Sequence, residues 1–158
     1  IIKNSQIYLR WVVFCLEFSS VCFSSVHSAN FSYEERNMTV DEWIKKAEKY
    51  LINGQEKEAS ACYEEALLID PENLSANIFL GNYYYIQGEM ARKNLEAKFN
   101  KQNKPNQAER EEYFNALSDL WPIYDKAKKH LEEVLRSFPS SEIKNTLEHI
   151  EELHETIQ

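Results

Sequence analysis

Four histidines, three cysteines and 26 carboxylates are the side chains of this 158-residue chain that could do acid–base, metal or nucleophilic chemistry. A metal pair on a helix needs ligands four residues apart on one face, or a Glu-flanked zinc motif, and His130, His149 and His154 supply neither. Surface or cap positions account for them. Cys15, Cys22 and Cys62 have no metal-ligand spacing, and Cys62 falls on the inward side of a helical pattern, where a thiol is structural. Glu64-Glu65, Glu111-Glu112 and Glu132-Glu133 are adjacent pairs on helical segments, so their carboxylates point apart into solvent. There is no Gly-rich phosphate loop, nucleophile elbow or His–Cys pairing. The expectation is a chain with no catalytic residue, no metal and no cofactor, and not an enzyme. The run Tyr83-Tyr84-Tyr85 remains, and tyrosine in such a context serves packing or recognition.

The elements that must position these residues are helices. Only 3 Gly and 4 Pro punctuate the chain, which is long enough for one domain with a sizeable core. Net charge is −8 with no Lys/Arg cluster, which argues against nucleic acid as a partner. No uncharged apolar run of about 18 residues exists, so no membrane span is expected.

Val40 to Glu72 is the clearest unit. Thr39-x-x-Glu42 is a capping box that opens a helix from about Val40 to Asn53, and Met38 and Trp43 flank it where a hydrophobic staple sits. Gly54 supplies the left-handed turn that ends it. A second helix runs to Ile69 with Ala59, Tyr63, Ala66 and Leu67 on one face, and Pro71 stops the pattern. Trp43, Ala47, Tyr50, Gly54, Ala59, Tyr63, Ala66 and Pro71 together resemble a tetratricopeptide repeat, the 34-residue helix-turn-helix unit; Lys46, where Leu is usual, departs from it.

After Asn73, a good N-cap, Leu80-Gly81, Tyr84 and Gly88 match the first half of a second repeat. Its second half can be placed in two ways. Pro71, Pro105 and Pro139 recur every 34 residues, as do Gly54, Gly88 and Pro122, which suggests three repeats. Alternatively, Tyr113, Leu117, Leu120, Tyr124, Ala127, Leu131, Val134 and Phe138 form an unbroken four-three seam. Antiparallel to them would lie Phe99, Leu95, Ala91, Gly88, Tyr84, Gly81, Asn77 and Leu74, with Gly88 opposite Tyr124 and Gly81 opposite Leu131. This second arrangement is a repeat split by a long helical hairpin, about residues 73–102 and 106–137, turning at Pro105 with an Asn106–Glu109 capping box. Pro122 is its difficulty, because a Pro inside a helix costs ~3 kcal/mol. Ser140-Ser141-Glu142 then opens a last, capping helix to about Thr156 with Ile143, Leu147, Ile150, Leu153 and Ile157 on one side. The expected fold class is therefore all-α, with tetratricopeptide-like antiparallel repeats, a long hairpin and a C-terminal capping helix over 38–158.

The resemblance implies a function. In such repeats ligands lie along the concave face of the first helix of each unit, which transfers to Ile44, Glu48, Leu51 and Ile52, then Ile78, Asn82, Tyr85 and Ile86. The implied activity is that of a protein–protein interaction adaptor holding a peptide or helix, with Tyr85 expected beside Asn82 and facing Leu51 and Glu48. Ile44 and Glu48 replace the Lys and Asn of the family's carboxylate-clamp subgroup, which argues against acidic chaperone tails. The alternative is a structural protein that self-associates into a homo-oligomer through Tyr113, Leu117 and Leu120 of the hairpin.

Residues 1–37 do not resemble the rest. Lys3 and Arg10 precede the apolar run Trp11 to Phe18, with cleavage-like residues Val26 to Ala29, as in an export signal; Glu17 interrupts the run. The first Met is Met38, directly ahead of the capping box. Two expectations follow: a non-domain segment lying upstream of the true start, with a cytoplasmic protein, or a signal-like segment over 1–29 and an exported one.

Overall fold

The computed structural model describes residues 37–102 and 104–157, so the expectations for 1–36 lie outside the described residues. Among the described residues six helices follow in order: α1 Val40–Ile52, α2 Glu56–Ile69, α3 Leu74–Phe99, α4 Gln107–Ser118, α5 Trp121–Ser137 and α6 Ser141–Ile157. No strand occurs among the described residues, and the fold is all-α. None of these helices is long and apolar enough to cross a membrane.

The local reasons are those of the residues. Thr39 accepts from the Glu42 N–H while the Thr39 N–H donates to the Glu42 carboxylate at 2.7 Å, closing the capping box of α1. Gly54, at φ +70°, turns the chain into α2 without a Cβ clash. Asn73 caps α3 through the Ala76 N–H, and Asn106 and Glu109 close a second capping box on α4. Ser140 accepts from the Ile143 N–H at the start of α6. α2 packs on both α1 and α3, so one helix joins two successive hairpins.

The 26 residues of α3 run without interruption past Gly88, roughly 39 Å at 1.5 Å per residue. That continuity removes the three-repeat arrangement, which required a turn there. The reason is close approach. A Cβ on Gly88 would lie 2.9 Å from the Tyr124 ring, and one on Gly81 would lie 2.7 Å from the Leu131 side chain. Both glycines thus let α5 settle onto α3, with the pairing that the seam predicts. At the far end Phe99 stacks on Tyr113 with ring centroids 4.3 Å apart.

The second arm differs from the expectation of one helix over 106–137. It breaks between Ser118 and Trp121. Pro122 has no N–H to return to Ser118, and its ring would collide with that carbonyl in a continuous helix, so the chain resets. Asp119 closes α4 and the Leu120 N–H reaches Leu117 O at 3.0 Å. Pro122 then becomes the second residue of α5, a position where the missing N–H has no intrahelical partner to lose.

The seam holds polar groups as well as apolar ones. His130, expected at a surface or cap, instead lies within it: Nδ1 is 2.8 Å from Asn77 Oδ1, and the ring stacks on Tyr84. Asn77 Nδ2 donates to the Pro71 and Asn73 carbonyls, which leaves Oδ1 to accept and fixes the proton of His130 on Nδ1. Burial, with the nearby Lys129 charge, pushes the His130 pKa down to about 4. Farther along, the Tyr124 hydroxyl donates to Glu89 at 2.8 Å, and Arg92 grips the same carboxylate and Glu96. The Arg92 hydrogen bonds, aided by Tyr124, hold Glu89 down to about 2 despite its burial.

Candidate functional site

Helix packing decides which side of α1 and α3 is left over. Trp43 and Ala47 are buried on α1, and Asn77 and Gly81, 34 residues on, are buried on α3. The residues one position later on each helix therefore stand at matching angles to the core. They form two rows of the same type: Ile44, Glu48, Ile52 on α1 and Ile78, Asn82, Ile86 on α3. Spaced four residues apart, the members of each row rise about 6 Å per step.

Tyr63 of α2 packs against α3. Its ring stacks on Phe79 of α3 with centroids 4.5 Å apart, and Phe79 stacks in turn on Tyr83. Burial raises the Tyr63 pKa, and the Glu48 charge on α1 raises it further.

Exposure separates the predicted residues. Ile52 is 85% exposed, Ile86 54% and Ile78 40%, while Glu48 and Asn82 are exposed polar groups. Ile44 and Leu51 are half-buried at the edge of the core. Tyr85 is also half-buried, and the ring contact it makes is edge-on to His149 of α6, with centroids 6.3 Å apart. Burial raises its pKa, and the neighbouring Glu89 adds to the rise. His149 itself reaches Glu89 at 3.6 Å, so Tyr85 belongs to the α3–α6 junction. Trp121 against His154, at 4.4 Å, and Lys128 with Glu151, at 2.9 Å, fasten α6 to α5.

Sequence reasoning did not find Met90. It continues the α3 row one turn past Ile86 and is 56% exposed. The first half of the repeat template ends near Gly88, one turn short of Met90, although the four-residue spacing from Ile78 carries straight on to it.

Of the three seam residues expected to drive self-association, Tyr113 and Leu117 are engaged inside the hairpin. Tyr113 stacks on Phe99 and Leu117 is buried, whereas Phe114 beside them is exposed. Cys62 is a buried thiol, as expected from its helical position. Among the described residues no group of three or more His, Cys, Asp or Glu is placed to hold a metal ion.

No protein-family model matches this chain, and no curated protein does. A solved structure does. A crystal structure from Bacteroides ovatus ATCC 8483, described as a "putative protein binding protein", is similar over 76% of this chain, at 38% identity and a TM-score of 0.71. This chain spans 59% of that protein's length.

Proposed function

We propose that this chain is a tetratricopeptide-type protein–protein interaction module, non-enzymatic, that holds a peptide or helix of another protein on the face made by α1 and α3. The observation that carries the reading is the open apolar row Ile78, Ile86 and Met90 on a helix whose opposite side is closely packed. Aligned apolar side chains on one exposed helix face are what a docking surface leaves in the unbound state. The 34-residue register that relates the two rows supports the repeat assignment. The protein-binding description of the Bacteroides ovatus neighbour points the same way.

The test uses the full chain and an Ile86→Asp variant as baits in extract of the source cells, with captured proteins quantified by mass spectrometry. Circular dichroism checks that the variant is folded. The expected result is a set of proteins held by the parent chain and reduced at least about tenfold by Ile86→Asp, a loss in the hot-spot range. An identical captured set with both baits would overturn the assignment of this face.

A further inference from the structure

The connection between α1 and α2 holds a reactive pair. Asn53 is the one asparagine of the chain that is followed by glycine. A glycine nitrogen has no side chain to shield it, so it can reach the carboxamide carbon of the residue before it, and this makes such asparagines labile. The Asn53 side chain is exposed, and the space around Gly54 is open: a Cβ placed there would meet nothing within 4 Å. Neighbouring elements therefore leave room for a five-membered ring.

The turn itself holds the reacting atoms apart. The Gly54 N–H donates to the Leu51 carbonyl at 3.0 Å and the Gln55 N–H to the Tyr50 carbonyl at 2.9 Å, so the nucleophile is tied up in the helix cap. Asn53 sits at ψ 5°, which places the Gly54 nitrogen over Asn53's own nitrogen. Ring closure needs it over Cβ instead, roughly a third of a rotation away about the Cα–C bond. The last turn of α1 must therefore open first. Opening exposes little buried surface, because Asn53, Gly54, Gln55 and Glu56 are already exposed, Ile52 is 85% exposed and Leu51 is half-buried.

We propose that Asn53 is a site of spontaneous covalent modification, converted through a cyclic imide to aspartate and isoaspartate, and that opening of the last turn of α1 sets the rate. In the opened turn hydroxide takes the Gly54 amide proton and the nitrogen attacks Cγ of Asn53. The N–Cγ bond forms, the Cγ–Nδ2 bond breaks, and ammonia leaves. Water then cleaves the imide at either carbonyl. Cleavage at Cγ gives aspartate on the original backbone, whereas cleavage at the Asn53 main-chain carbonyl routes the chain through the side chain as isoaspartate. One water is consumed and one ammonia released, with no oxidant or reductant. Either product puts a carboxylate at the C-terminal end of α1, where the helix dipole is already negative, and isoaspartate also lengthens the connection to α2 by one carbon. The site stands independently of the docking face proposed above.

The full chain is incubated at mildly alkaline pH, folded and in urea, then digested for peptide mass spectrometry, with isoaspartate detected by isoaspartate-specific enzymatic methylation. Hydrogen exchange of the Gly54 amide in the folded chain measures the opening of the turn, since the same N–H must be released for exchange and for attack. Asn53 is expected to convert ahead of every other asparagine among the described residues, about ten- to a hundredfold more slowly in the folded chain than in urea. That slowing should match the opening measured by hydrogen exchange to within about threefold, and Asn53→Gln should remove the product. Slowing beyond about a hundredfold, or earlier conversion of another described asparagine, would overturn Asn53 as a site in the folded protein. Slowing of less than about tenfold, or a folded-state rate above what the measured opening allows, would overturn control by the turn.

Discussion

The two sides of α3 are built on opposite rules. Toward α5 it presents Gly81, Tyr84 and Gly88, and every polar group carried into that seam is engaged: Asn77 by His130, Tyr84 by Glu64, Glu89 by Tyr124 and Arg92. Toward the outside it presents Ile78, Asn82, Ile86 and Met90, exposed and with an acceptor in the middle. Both sides have the same periodicity, so pattern alone does not tell them apart. Small residues distinguish the packed side, because only a glycine admits a ring or an isobutyl group against the backbone. Large apolar residues without a facing small residue mark the open one.

Substitutions on the two sides should separate folding from binding. The largest effect is expected for Leu131→Ala, whose side chain is buried over Gly81: about 3 kcal/mol of stability, measured by urea unfolding. A loss below about 1 kcal/mol would mean that the seam is looser than its contacts imply. Next comes pH. A His130 pKa depressed to about 4 means that the unfolded chain binds the proton more tightly, so this group's contribution is full above about pH 6.5 and falls as pH drops toward 4. The change should be on the order of 2 kcal/mol, and it should be absent from the unfolding curves of His130→Gln. Gly88→Ala gains helix propensity of about 1 kcal/mol but drives a methyl group into the Tyr124 ring, which Glu89 restrains, for a net loss of about 1–2 kcal/mol. A stabilised variant would show that the ring can give way. The smallest change in stability is expected for Ile86→Asp, within about 0.5 kcal/mol, because the side chain lies outside the core. If it unfolds the protein, the outer row is part of the fold and the contrast between the two sides collapses.

Much of this organisation is legible in the residues. The Thr39–Glu42 and Asn106–Glu109 boxes are local, needing only three-residue spacing, and both form. The pairing of Gly88 with Tyr124 and Gly81 with Leu131 could be read because a small residue opposite a large one is a strong constraint on register. Pro122 was harder: the same residue kinks a helix from inside or begins one from its first turn, and only the path of Asp119 and Leu120 decides which. Tyr85 shows where a single-helix view ends. Its angle on α3 is evident from its position, but its neighbour His149 comes from α6, whose placement no local spacing encodes. His130 departs from its expected surface position for a related reason, since its partner Asn77 stands 53 residues away in the chain.

The turn at the hairpin's tip, where Lys104 takes a φ of 62° ahead of Pro105, also bears on the order in which the chain assembles. Bringing Asn77 to His130 directly would close a span of 53 residues in one step. Starting from the tip, the spans are shorter and successive: Phe99 meets Tyr113 first, 14 residues apart, then Glu89 meets Tyr124 across 35, and Asn77 meets His130 last. Each contact shortens the loop that the next must close, so the entropy of a distant pairing is divided among near ones. A zipper running down from the tip also carries the register with it, and Gly81 arrives already aligned with Leu131.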